Sequence, residues 1–345
     1  SVVHSATTLA NRLNEISTSV QDVRRQADAD LATSVSRINN HLADYAALDQ
    51  EIVRGLNLGE EVTDQLDQRD GILRQLAEEI GIRTLQKSNG SISIYTDSGL
   101  TLFDTIPRAV SFEPTANFGA GVTGNPILVD GVPVSGNSSA LQVRSGQIYG
   151  LLTIRDDVAV TIQTQMDELA RGLVEAFAEQ DQSAVPSLPD QPGLFTFDGA
   201  VSIPPTGSVV DGLAGIIKVS PNVQIAAGGD PFLLRDGGIS DPGNPAYTYN
   251  ATGAAGFADR LHQMIDALGQ ARDFDPASHL DPRASVISNA ADAVGWLSET
   301  YKNAENSAEY QSALLAHSSD TIHAETGISL DDQMIKLLDF ERSYQ

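Results

Sequence analysis

LANRLNEISTSVQDVRRQADADLATSVSRINNHLADYAALDQEI, residues 9–52, decides the fold. Apolar or small side chains recur at Leu9, Leu13, Ile16, Val20, Val23 and Ala27, then at Leu31, Val35, Ile38, Leu42, Tyr45, Leu48 and Ile52. The steps alternate between four and three residues, with an extra four-residue step between Ala27 and Val35. A 3.5-residue repeat with one such stutter marks the seam of a long, coiled-coil-like helix. Fifty residues of it span ~75 Å, longer than a compact domain is wide. Gly55 and Gly59 are expected to end this helix. A second helix then carries Val62, Leu66, Leu73, Leu76 and Ile80 and stops at Gly81 as its C-cap.

Outward from this stretch the period changes. Ile82–Leu85 and Ile92–Tyr95 flank Asn89-Gly90, a strong hairpin signal. Thr101–Phe103, Ala109–Phe112 and Ile127–Val129 read as further strands, and Asp130-Gly131 turns into Val132–Val134, where Pro133 marks an edge. Helical spacing returns at Leu151, Leu152, Val158, Ile162, Leu169, Leu173 and Phe177. All 15 prolines lie between Pro107 and Pro282, and proline is costly inside a helix. The proline-free stretches are therefore the candidate helices. From Pro186 to Pro245 the text is turn-rich, with short apolar runs at Leu194–Phe197, Ile216–Val219 and Phe232–Leu234. Phe257, Leu261, Ile265 and Leu268 form another helical stripe. A longer run then passes Val294, Leu297, Tyr301, Tyr310, Leu314 and Ile322. After Gly327 a last helix, capped by Ser329, carries Leu330, Met334, Leu337, Leu338 and Tyr344.

The expected fold class is α+β: an elongated helical bundle, a coiled-coil-like stalk, with β-rich inserted regions. Its parts are 1–81, the first part of the stalk; 82–148, a small β region; 149–182, the second part of the stalk; 183–253, a β-rich or irregular insert; and 254–345, the C-terminal part of the stalk. The residues assigned to the assembly or bundle seam are Leu9, Leu13, Ile16, Val20, Val23, Leu330, Met334, Leu337, Leu338 and Tyr344. The chain starts and ends inside helical patterns, so some seams are expected to pack against segments or subunits outside it.

A net charge of −25 over 345 residues, with no basic segment, argues against nucleic-acid binding and against anionic membranes. No apolar run approaches a membrane span, so no membrane insertion is expected. With 0 cysteines there is no disulfide framework, thiolate zinc site or thiol nucleophile. Gly119-Ala120-Gly121-Val122-Thr123-Gly124 matches G-x-G-x-x-G, but Asn125-Pro126 and a strand follow it instead of a helix N-terminus, so it reads as a loop. The six histidines lack helical zinc spacing, and Glu60, Glu61, Asp64, Asp67 and Asp70 read as a solvated helix face. No catalytic, cofactor-binding or metal-binding residue and no cofactor is assigned, and the chain is read as a non-enzyme.

Several of these stretches resemble one family. Leu66, Arg69-Asp70, Leu73, Leu76 and Gly81-Ile82, followed by Asn89-Gly90-Ser91-Ile92-Ser93-Ile94-Tyr95, resemble the FlgK flagellar hook-associated proteins, as does SGQIYGLLTIRDD at 145–157. The segment TGISLDDQMIKLLDFERSYQ at 326–345 looks like the helix that closes FlgK and related axial proteins. The likeness is weak across 183–253. It implies a structural subunit joining flagellar hook to filament by helical packing, outside the cell and secreted through the flagellar type III export apparatus. It further implies a core lacking both terminal helical segments. The partners it implies are further copies in the axial structure, the hook protein, a neighbouring hook-associated protein and an export chaperone. The alternatives are flagellin or another axial filament protein and, in a different class, a secreted hydrolase using a carboxylate pair. A carboxyl with a raised pKa in a cleft would favour the hydrolase.

Overall fold

The computed structural model describes residues 2–136 and 139–326, with side chains described through residue 318. The chain divides into two compact units, Ser1–Ala290 and Ala291–Gln345.

The first unit is organised by α1 (Val2–Leu58), a single helix of 57 residues, or ~85 Å at the usual rise. Its inward face is Ala6, Ala10, Leu13, Ser17, Val20, Arg24, Ala27, Leu31, Val35, Ile38, Leu42, Tyr45, Leu48 and Ile52. Ala27, Leu31 and Val35 take the two consecutive four-residue steps of the stutter. The expected break at Gly55 does not occur. Helix α1 continues to Leu58, and Gly55 is buried under Val62, whose Cγ1 a Cβ there would meet at 2.5 Å. Gly59, in the left-handed region, turns the chain into α2 (Thr63–Glu79), which runs back along α1.

The Asn89-Gly90 hairpin forms: β1 (Ile82–Gln86) pairs antiparallel with β2 (Ile92–Thr96), in the register Ile82 with Thr96 and Gln86 with Ile92, and β3 (Thr101–Phe103) adds on β2's other side. A second sheet holds β4 (Val110–Ser111), β5 (Leu128–Val129) and β6 (Val132–Pro133), with β6 at the edge that Pro133 requires. Asp130 and Gly131 both take positive φ in the two-residue turn between β5 and β6. These sheets, α2 and the second half of α1 share a core that includes Leu31, Ile38, Leu42, Tyr45, Leu76, Ile94, Phe103 and Val129. Tyr45 meets Phe103 edge-on at 4.9 Å and donates its hydroxyl to the Ile92 carbonyl at 2.8 Å.

Helix α3 (Gln147–Thr153) passes through one π-helical segment, Ile154–Val158, into α4 (Ala159–Ala176). Helix α4 and the first half of α1 build a second core. Ala6, Ala10 and Leu13 meet Leu169, Leu173 and Phe177, and the following segment adds Phe195, Ile217, Val223, Ile239, Met264 and Val286.

That following segment has little regular structure. Its strands β7 (Phe195–Thr196) and β8 (Lys218–Val219) pair over two residues only. Helices α5 (Leu213–Ile216) and α6 (Leu233–Asp236) are single turns. The apolar run Phe232–Leu234 therefore enters a helical turn instead of a strand, with the Asp230 carboxylate accepting from Phe232 N at 2.9 Å. Buried carboxylates organise this text in place of a sheet. Glu179 accepts from Ile239 N, Ser240 N and Ser240 Oγ. Asp181 accepts from Ser183, Ser187 and Leu188, and those hydrogen bonds hold its carboxyl well below the usual range.

Helix α7 (Asp259–Gly269) buries Arg260 and Met264 and leaves Ile265 exposed, because Ile265 lies about 100° round the helix from Met264. Strands β9 (Arg272–Asp273) and β10 (Arg283–Ala284) then pair before α8 (Val286–Thr326). The second unit is described as α8 from Ala291 onward. Val294, Leu297, Tyr301, Tyr310, Leu314 and Leu315 are all exposed there.

Candidate assembly groove and the polar belt beneath it

The expected N-terminal seam separates into two faces. Leu13 and Val20 are buried in the core, whereas Leu9, Ile16 and Val23 are 40%, 40% and 48% exposed. With Val2 these three make a stripe repeating every seven residues on the flank of α1. A helix turning at 3.6 residues drifts ~20° per heptad away from a strict 3.5 repeat, so one stripe cannot stay wholly inward. Leu330, Met334, Leu337, Leu338 and Tyr344 lie outside the described residues.

Between this flank and the π segment runs an open groove of about 370 Å³. Ile16, Val20 and Val23 line it from α1; Ile154 and Val158 from the π segment, with Ile162 from α4, complete its apolar lining. Arg12, Glu15 and Ser19 stand at its rim. The π segment contributes to both sides of this wall. It leaves Ile154 43% exposed in the groove and places the adjacent Arg155 side chain inward, 1% exposed.

Beneath the groove lies a polar belt that sequence reasoning did not find. Arg155 Nη1 donates to Asp28 Oδ1 at 2.6 Å, and Arg155 Nη2 donates to the Asn125 carbonyl at 3.0 Å. Arg24 Nε donates to the Arg155 carbonyl at 3.0 Å, Nη1 to the Gly119 carbonyl at 3.0 Å and Nη2 to the Val122 carbonyl. The glycine-rich loop therefore offers carbonyl oxygens to an internal guanidinium, the reverse of the amide cradle that a phosphate needs. A Cβ at Gly124 would overlap the Arg155 guanidinium, so a side chain there would have to displace the guanidinium from this position. Burial draws the Arg24 guanidinium below its usual pKa. At Arg155 the same burial is outweighed by Asp156 and Asp28, which raise it.

The belt continues along α4. Ser17 Oγ and Gln21 Nε2 both donate to Gln163 Oε1, and Gln163 Nε2 donates to Asp167 Oδ1 at 2.9 Å. Asp167 also accepts from Gly212 N and Ala214 N at 2.8 Å, while Asn14 Nδ2 donates to the Ala214 carbonyl at 2.7 Å. Burial lifts the Asp167 carboxyl to about 6. Its oxygens are engaged by N–H groups of the fold itself, so the shift belongs to packing and gives the hydrolase alternative no support. Arg24 and Asp28 fall at seam spacing after Val20, and a charged pair in a seam was the available signal.

Residues 1–195 match the family described as the flagellar hook-associated protein FlgK helical domain, more than half of the chain. The chain belongs to the FlgK helical-domain family. The family match takes in α1 to α4 and both small sheets, and hence the groove and the belt, whereas α5 to α8 lie beyond it. Among relatives, flagellar hook-associated protein 1 of Escherichia coli K12 is 24% identical over 178 residues, 51% of this chain and 32% of that protein. The Salmonella typhimurium LT2 protein of the same name is 25% identical over 185 residues, 52% of this chain and 32% of its own length. The chain thus spans about a third of those two FlgK-family relatives. That of Bacillus subtilis 168 is 22% identical over 367 residues, covering 99% of this chain and 67% of the relative. The solved flagellar hook junction protein FlgK from Burkholderia pseudomallei aligns over 56% of this chain and 35% of its own, at 22% identity and a TM-score of 0.44.

Proposed function

We propose that this protein is a structural subunit of the bacterial flagellum, positioned at the junction of hook and filament, that works by packing helices side by side and catalyses no reaction. The observation that carries this reading is the FlgK-family match across 1–195, which contains a long helix whose apolar stripe at Leu9, Ile16 and Val23 is left uncovered. In this reading the helical parts 1–81, 149–182 and 254–345 serve packing, and 82–148 and 183–253 are lobes carried on them. Leu13 and Val20 hold the subunit together. Leu9, Ile16 and Val23, with Leu330, Met334, Leu337, Leu338 and Tyr344 of the C-terminal segment, are the positions assigned to contacts between subunits. The partners are further copies, the hook protein and a neighbouring hook-associated protein, reached after secretion through the flagellar export apparatus with a dedicated chaperone.

The test is electron microscopy of cells lacking the gene, with and without its restoration. Hooks without filaments, flagellin monomers shed into the medium and filaments regained on restoration are the expected result. Normal filaments in the deletion strain would discard the junction role.

A further inference from the structure

Helix α4 buries charge as well as apolar surface. Glu168 and Arg171 are both fully buried, with Arg171 Nε donating to Glu168 Oε1 at 2.9 Å and Nη2 to Oε2 at 3.0 Å, while Nη1 reaches Glu175 Oε2 at 2.8 Å. The cover over this row is the segment 272–285, which is closed on itself. Strand β9 pairs with β10, Phe274 N donates to the Pro282 carbonyl at 2.8 Å, Ala277 N to Asp275 Oδ1 at 2.9 Å and Arg283 Nη1 to Asp273 Oδ1 at 3.0 Å.

The hold of this segment on its surroundings is of another kind. Gln165 Nε2 donates to the Ser278 carbonyl at 3.0 Å, Arg171 Nη2 to the Asp273 carbonyl at 2.5 Å, and Asp275 N to Glu168 Oε2 at 2.7 Å. Arg272 donates to the carbonyls of Gly172 and Ala267, and Val209 N donates to Asp275 Oδ2. Each of these bonds joins a side chain to a backbone group, a partner that water can replace on separation. Glu168 and Glu175 keep Arg171 when the segment lifts, so no charge is stranded. Arg272 is buried with Nε unpartnered among the described residues, and burial draws its pKa down, so release to water favours it. One large apolar side chain of the segment is buried: Phe274, 5.4 Å over the Arg171 guanidinium and against Gly172, belonging to neither core. A face covered for good is at least as stable when it is apolar; charge there suits a face that is wetted at intervals.

We propose that residues 272–285 form a strap that opens from α4 as a unit, turning about Gly269 and Ser285 and exposing Glu168, Arg171 and Glu175 to water while the rest of the fold stays closed. Gly269 has open space around it. At the other end Ser285 Oγ accepts from Ser288 N at 3.0 Å, so α8 keeps its cap as the strap moves. The opening is a property of the free chain and stands apart from the junction role.

The test is residue-resolved native-state hydrogen exchange on the full chain. Asp275 N, whose acceptor lies on α4, is expected to exchange about tenfold or more faster than the amides of 169–173, at a rate almost unchanged by low urea because little surface is exposed. Phe274 N, whose acceptor lies inside the strap, is expected to stay slower than Asp275 N. The absence of native cysteine allows a second reading, thiol labelling of Ser278→Cys against Ser34→Cys. Both serines are fully buried, and circular dichroism checks each variant. Ser278→Cys should label about tenfold or more faster than Ser34→Cys. Adding Ile38→Val, in the core around Tyr45, should speed labelling of Ser34→Cys several-fold and leave that of Ser278→Cys unchanged. Asp275 N exchanging at the α4 rate, Phe274 N exchanging together with Asp275 N, or Ile38→Val speeding both thiols alike overturns the proposal.

Discussion

Replacing Arg155 by methionine probes the polar belt at its centre. The Arg155 guanidinium is 1% exposed and Asp28 is 2% exposed. They are 2.6 Å apart, while Asp28 Oδ2 also accepts from Thr115 N at 2.7 Å. Methionine fills much of the arginine stem's volume but leaves the Asp28 carboxylate buried without its cation, and the Asn125 carbonyl without its donor. Breaking a buried pair from one side costs ~3–5 kcal/mol, far above the value of an exposed pair. In a domain of this size that lowers Tm by ~10 °C. The second variant is Arg155→Met with Asp28→Asn, which removes the stranded charge and keeps an acceptor for Thr115 N. It is expected to recover more than half of the loss, because the penalty lies in the uncompensated carboxylate. Guanidinium denaturation followed by far-UV circular dichroism gives both values. A loss below ~1 kcal/mol, or a double variant no more stable than the single one, would refute the account of Arg155 as the cation that holds a buried carboxylate.

Two further outcomes are expected. Gly146, at φ 86°, lies so close to the end of α2 that a Cβ would meet Ile80 Cα at 2.7 Å and the Glu79 carbonyl oxygen at 2.8 Å. Gly146→Ala should therefore cost ~2 kcal/mol or more in thermal unfolding, whereas Gly150→Ala in α3, with open space around it, should be neutral or slightly stabilising. The Asp167 carboxyl rises from 3.8 to about 6 through burial, so folding favours its protonated form. Its contribution is complete below about pH 4 and is lost as pH climbs through about 6, a change of ~3 kcal/mol. Asp167→Asn has no such loss, so its stability relative to the native chain should improve by up to that amount between these limits. Urea titrations of both proteins across the range check it, and a constant difference would contradict the sign.

Helix α1, α2 and the two tight turns were legible because each depends on neighbours in sequence: a 3.5-residue stripe, Asn89-Gly90 and Asp130-Gly131. What escaped depends on distant partners. Arg155 and Asp28 are 127 residues apart, and nothing local in Ile154–Val158 announces a π segment. The Gly55 break failed for the same reason, since the close approach of Val62 decides the space at that glycine. The text after Phe177 resisted strand assignment because its order comes from single carboxylates such as Glu179 and Asp181 gripping backbone N–H groups, which leaves no period to detect. Along the expected N-terminal seam, the separation of Leu13 and Val20 from Leu9, Ile16 and Val23 required knowing where α4 and the π segment lie against α1.

The two cores strung along α1 also differ in the length of chain each must gather. The core around Tyr45 and Phe103 draws its members from residues 31–152, many of them joined by hairpins and short turns. The core around Leu13 and Phe177 must bring Ala6 together with Val286, and the entropy of closing so long a loop slows such contacts. On loop-closure grounds the half of α1 around Tyr45 is expected to gain its tertiary partners before the other half, an order that pulse-labelled hydrogen exchange during refolding would test. Arg24 and Asp28 lie on the continuous helix between the stretches that enter the two cores.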